Sequence, residues 1–194
     1  LAKLAKDSIQ KLIKARTDFL NPENVGLKNG WMKPDLDDSD WLEVECPAGW
    51  STIPEIGKFE GVAWMRTRFE LPDNWLGNPM VIELGPIDEI DVTYLNGRKI
   101  GSVKKVENRG KERIYKVPGH QINAKENVLA IRIVNTNSDG GFVGESEKLR
   151  IFPAQVERTR SISLAGEWKF RIAYEFPEIP EMSSAKNPTV LYNG

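Results

Sequence analysis

The chain has very few of the residues on which several common kinds of chemistry depend. Its 194 residues include one cysteine, Cys46, and one histidine, His120. A single thiol excludes an intrachain disulfide and leaves no thiolate cluster for zinc, so Cys46 reads as a buried thiol. A serine hydrolase needs a general base within hydrogen-bond reach of its nucleophile and a third group to orient that base. His120 lies in VPGHQINAKENV, between two expected strands, and reads as an exposed loop residue. Neither a Gly-x-Ser-x-Gly elbow nor a Gly-Asp-Ser block is present.

An excess of charge of one sign is also missing. A net charge of −1 with 28% charged residues describes a mixed-sign surface, which gives no electrostatic reason to expect nucleic acid or an anionic membrane as partner. No apolar run approaches the roughly 18 to 20 residues needed to span a bilayer, and the N-terminus lacks the apolar centre and cleavage site of a signal peptide. The chain opens at Leu1 and stops at Leu191-Tyr192-Asn193-Gly194, and it reads as a piece of a longer protein.

What is present is enough apolar matter for one sizeable core, at 40% of residues. Leu1, Leu4, Ala5, Ile9, Leu12, Ile13 and Phe19 recur at three and four, which predicts an amphipathic helix ending near Asn21-Pro22. Residues 24–40, with Gly26, Asn29-Gly30 and Pro34, read as a connector. From Trp41 to Ile151 the pattern becomes short apolar runs between turn signals, the rhythm of an all-β sandwich. Eight strands are expected, over 42–45, 62–70, 80–84, 91–95, 99–103, 113–116, 128–134 and 148–152, which is the jelly-roll number. Asn96-Gly97 suits a two-residue type I′ hairpin, and the run 128–134, apolar on both faces apart from Arg132, is expected to be a central strand. One or two half-buried strands follow around Ala165-Gly166, and 175–188, with three prolines, reads as an extended linker.

Within residues 61–101 an aromatic-arginine strand (Trp64, Arg66, Phe69), Leu71-Pro72, a Trp-x-Gly turn (Trp75, Gly77), LGPIDEIDVTYLNG and Gly101 occur in order. This stretch resembles the β-jelly-roll domain of sialate O-acetylesterases. It is similar, more loosely, to the galactose-binding-like domains of β-galactosidase and β-glucuronidase-type glycosidases. The resemblance runs on through ERIYKVP, ENVLAIRIVNTNSDGGFVG and SLAGEWKF. It implies a jelly roll over 35–157, joined through 1–34 and 158–194 to a split esterase domain outside the chain, with neither catalytic residue carried here. The implied parent deacetylates sialic acids or other acetylated sugars through a serine acyl-enzyme, in the periplasm or outside the cell. Two alternatives stand beside it: an independent carbohydrate-binding module, with Trp31, Trp50 or Trp75 stacking on sugar rings, and the sugar-binding domain of a larger glycosidase.

Three groups of residues are candidates for a site. Asp88, Glu89 and Asp91 are acidic enough to suggest a glycosidase pair. Strand alternation, however, sets Asp88 on the opposite face from Glu89 and Asp91, so a structural role is expected, with one of them paired to Arg66, Arg113 or Arg132. The loop Asn137, Ser138, Asp139, Gly140, Gly141, Phe142, Val143, Gly144 allows close backbone approach, and Phe142 is expected to be an exposed apolar group facing the flanking domain or a glycan. Lacking a following Gly-Lys-Ser/Thr, the loop is not a phosphate cradle. Asp35, Asp37, Asp38 and Asp40 are candidate calcium ligands, set against a plain solvated turn leading into Trp41. No cofactor is otherwise expected.

Overall fold

The computed structural model describes residues 25–88, 90–104, 110–136, 139–155 and 160–176. The expected helix over 1–20 and most of the proline-bearing segment 175–188 lie outside them. The described chain is an all-β, jelly-roll-like sandwich. Its strands are β1 (Leu42–Cys46), β2 (Gly61–Glu70), β3 (Met80–Asp88), β4 (Ile90–Leu95), β5 (Arg98–Val103), β6 (Glu112–Val117), β7 (Glu126–Asn135), β8 (Gly141–Phe142), β9 (Leu149–Pro153), β10 (Ile162–Ser163) and β11 (Gly166–Glu175). One sheet runs β1-β11-β2-β7-β4-β5 and the other β10-β9-β3-β6, with β8 added on β3.

The period of two in the sequence assigns each side chain to a layer. On β2, Ala63, Met65 and Phe69 enter the space between the sheets, and Leu129, Ile131 and Ile133 of β7 meet them there with Met80, Ile82 and Leu84 of β3. The alternate residues Trp64, Arg66 and Arg68 of β2, with Ala130 and Arg132 of β7, lie on the outer face of the larger sheet. β7 is apolar on both faces because both are covered: the second sheet packs on its inner face, and a strap of chain lies over its outer face. That strap includes α1 (Val25–Lys28) and continues to Trp41. Trp31 and Trp41 pack edge-on at 5.1 Å, Trp31 meets Trp64 at 6.2 Å, and Trp64 stacks on Tyr94 at 5.6 Å, forming a second apolar cluster outside the main core.

Three expectations change. The jelly roll does not stop at residue 157, because β11 lies between β1 and β2, paired to β1 from Gly166 to Phe170 and to β2 from Lys169 to Glu175. Without it β1 would have no neighbour in the sheet, and Trp168 and Phe170 would leave the core. Nor does residue 35 mark an edge, since Trp31 is built into the outer cluster. Gly85-Pro86, expected as a break, instead continues β3 through a register shift between Glu83 and Gly85.

Candidate functional site

The loop bearing Asp139 to Gly144 forms its tightest contacts with its own chain. The Trp50 amide donates to the Gly140 carbonyl (3.2 Å), the Phe142 amide to the Ala48 carbonyl (3.1 Å), and the Val143 amide to the Pro86 carbonyl (3.1 Å). Gly141 and Phe142 form β8 opposite Asp88 and Ile87. Gly140 and Gly141 take positive φ values of 66° and 85°, and a Cβ on either would fall 2.3 or 2.7 Å from the Trp50 ring. Both glycines are therefore required by close approach to Trp50, and no ligand is needed to explain them.

Phe142 corrects the sequence reading. It is 1% exposed and packs edge-on to Trp168 at 5.3 Å, inside the core, and Val143 is the apolar side chain this turn presents to solvent, at 53% exposed. The reason is alternation: β8 adds Phe142 to the inner layer and turns its successor outward. A two-residue strand has no period to detect, so only the register on β3 reveals it. Asp139 is exposed near Gly49, Gly144 lies over Pro86, and Asn137 lies outside the described residues. Asp139, Val143 and Glu145 are the residues of 139–145 that face solvent, on a base anchored by these contacts.

The acidic candidates separate. Asp91 enters the space between the sheets from β4, where it accepts from the Arg113 Nε at 2.7 Å, from the Tyr115 hydroxyl at 3.1 Å and from the Thr93 hydroxyl at 3.2 Å. Asp91 and Arg113 side chains are both fully buried, and burial pushes the Asp91 carboxyl up against the pull of Arg113 and the two hydroxyls. Burial likewise pushes the Tyr115 phenol well above its ordinary range. Asp88, also buried, ends β3 opposite Gly141, and Glu89 lies outside the described residues. Arg132 is buried on the outer face between Trp64 and Val92, and burial lowers its guanidinium.

Asp38, a calcium candidate in sequence, is instead the partner of Arg66. It accepts from the Arg66 Nε at 2.7 Å and with both oxygens from the Arg68 Nη1 at 2.7 Å. The two arginines also hold the strap's backbone: Arg66 donates to the Trp31 and Lys33 carbonyls and Arg68 to that of Leu36. Asp40 pairs with Arg171, Asp37 accepts the Ser39 amide at 3.0 Å, and Asp35 is exposed. Asp37, Asp38 and Asp40 thus serve separate partners, and no group of three or more metal-ligating side chains is gathered among the described residues. The stacking candidates also change: Trp50 is fully buried and Trp31 nearly so, leaving only Trp75, half-buried in the Asp73–Trp75 turn, with an open edge. His120 lies exposed in the Gly119–Gln121 turn.

Comparison with solved structures returns multidomain glycosidases. The Ruminococcus gnavus β-glucuronidase in complex with uronic deoxynojirimycin aligns at TM-score 0.50 and 18% identity over 81% of this chain and 27% of that one. A β-glucuronidase from glycoside hydrolase family 2 aligns at 0.48 and 20%, over 61% and 13%. A family 2 member from Bacteroides cellulosilyticus aligns at 0.48 and 19%, over 57% and 17%. At these identities the likeness concerns the fold, and the chain spans at most about a quarter of these proteins. A search of curated sequences finds no match. The family model for the β-galactosidase second all-β domain matches residues 28–139, from the end of α1 through all of β1 to β7. That match turns the balance from the esterase expected in sequence to the glycosidase alternative, and by it the chain belongs to the family of β-galactosidase second all-β domains.

Proposed function

We propose that this chain is the non-catalytic sandwich domain of a larger glycoside hydrolase of the β-galactosidase and β-glucuronidase kind. In this reading it supports the flanking catalytic domain and presents the turn of Asp139, Val143 and Glu145 to that domain or to its glycan. Family membership over residues 28–139 carries the reading. It is supported by the use made of three buried acids: Asp38, Asp91 and Glu83 each lie 2.7 Å from an arginine, and a carboxylate so paired is held as a structural anion. A glycosidase acid and base instead need two carboxyls facing a common sugar.

The anchored loop makes this testable by two neighbouring residues with opposite exposure. In the isolated chain Phe142→Ala should lower stability by about 3–5 kcal/mol, as expected for a core phenylalanine, whereas Val143→Asp should change it by less than about 0.5 kcal/mol. In the parent glycosidase Val143→Asp should lower kcat/KM on an aryl glycoside while the melting temperature holds. Unchanged kinetics there would remove the turn from the catalytic neighbourhood. Hydrolysis of aryl glycosides by the isolated chain would overturn the non-catalytic reading.

A further inference from the structure

The hairpin turn Asn96-Gly97 couples a reactive dipeptide with a lock. Asn96 and Gly97 have φ values of 51° and 80°, those of a type I′ turn between β4 and β5. The Asn96 side chain uses its whole amide. Its Nδ2 donates to the Gln121 carbonyl at 2.9 Å and to the Asn127 Oδ1 at 2.8 Å, and its Oδ1 accepts the Val128 amide at 2.9 Å. Asn127 is itself fully buried and fixed from both ends, accepting the Asn123 amide at 2.8 Å and donating to the Asn123 carbonyl at 3.1 Å.

An asparagine followed by glycine is chemically prone to lose its side-chain amide, because no Cβ on the next residue hinders its backbone nitrogen. We infer that Asn96 is a latent deamidation site, held in the amide form by the Asn127, Gln121 and Val128 contacts and released when the loop 118–127 lifts from the hairpin. In the reaction the Gly97 nitrogen loses its proton to solvent and bonds to the Asn96 Cγ. The Cγ–Nδ2 bond breaks, ammonia leaves with a proton from water, and a cyclic imide remains. Water then opens the ring at either carbonyl, leaving aspartate or isoaspartate.

Two features of the fold oppose this. Ring closure needs a backbone rotation at Asn96 that the two-residue turn forbids while β4 and β5 stay paired. The leaving nitrogen is also held by two acceptors. Reaction through opening is further one-way. A carboxylate accepts and cannot donate, so at position 96 it would face the Gln121 carbonyl and the Asn127 Oδ1 with no proton to offer either. Isoaspartate adds a backbone atom to a turn that tolerates only two residues.

The chain provides its own reference, since Asn29-Gly30 is a second such pair, with Asn29 exposed at the end of α1. The experiment incubates the whole chain at mildly alkaline pH beside a synthetic peptide of residues 91–103. Conversion at each asparagine is read by peptide mass and by isoaspartate assay. Asn96 in the folded chain should convert at least about tenfold more slowly than in the peptide, the ratio set by how rarely the turn opens. Asn127→Ala should raise the Asn96 rate severalfold and leave Asn29 unchanged. Equal rates in the folded chain and the peptide, or no acceleration in a folded Asn127→Ala variant, would overturn the lock. A variant in which Asn29 accelerates equally has unfolded, and the wild-type ratio then decides alone.

Discussion

Arg113–Asp91 and Arg66–Asp38 join the same two side-chain types at the same 2.7 Å, one between the sheets and the other on the outer face of the larger sheet. Between the sheets, burial dominates: the Asp91 carboxyl is pushed up despite an arginine and two hydroxyls. On the outer face burial again raises the carboxyl, but hydrogen bonds from Arg68 and Arg66 together outweigh it and hold Asp38 below the ordinary range. The difference lies in solvent and in a second cation. Arg68 is 31% exposed, so part of the outer cluster keeps its hydration, whereas Asp91 and Arg113 have none left. The inner pair is therefore a demanding device that fixes how β4 and β6 meet, and the outer one a latch that ties the strap to β2.

The largest effect should come from breaking the inner pair. Arg113→Ala strands a charge between the sheets and should cost about 3–5 kcal/mol in urea unfolding, while replacing Asp91 and Arg113 together by leucine and methionine should recover most of it. A single substitution no worse than its outer counterpart would erase the contrast. That counterpart, Asp38→Ala, should cost less, about 1.5–3 kcal/mol, because Arg66 keeps the Trp31 and Lys33 carbonyls. It should also raise the exposure of Trp31 and Trp41, read by fluorescence quenching, and an unaltered spectrum would mean the strap is held by its apolar contacts alone.

The smallest and sharpest test is the sign of the pH dependence. Unfolded aspartates titrate near about pH 3.9. Asp38, lowered on folding, contributes stability that is present above that value and lost as the pH falls through its folded value. Asp91, raised on folding, contributes stability that is present below it and lost as the pH rises through its folded value. Unfolding midpoints followed from about pH 3 to 6 should lose their acid-side slope in Asp38→Asn and their opposing slope in Asp91→Asn. Identical changes in both variants would show that the two sites share one electrostatic environment.

Much of the fold is legible in the sequence because strand formation is a local matter. Each expected strand between 42 and 152 overlaps an observed one, and Asn96-Gly97 forms its turn, since alternation and a positive-φ dipeptide act over a few residues. The candidate site was legible only as a set of residue types. Asp38 stood with the calcium candidates and Arg66 with a different acidic cluster, and nothing in a sequence separation of 28 pairs them. Phe142 looked like an exposed apolar group because its neighbours in sequence are polar, whereas its neighbours in space are Trp168 and the inner layer.

By itself, then, the sequence determined the all-β class, the positions of the long strands and the central place of β7. These follow from composition and from a period of two that any short segment carries. Only the tertiary structure decided that β11 enters between β1 and β2, that the strap covers the outer face, that Gly140 and Gly141 accommodate Trp50, and which aspartate meets which arginine. Each of these is a contact between distant parts of the chain. It is selected by the burial of whole faces and the desolvation of particular charges, which no local pattern of residues encodes.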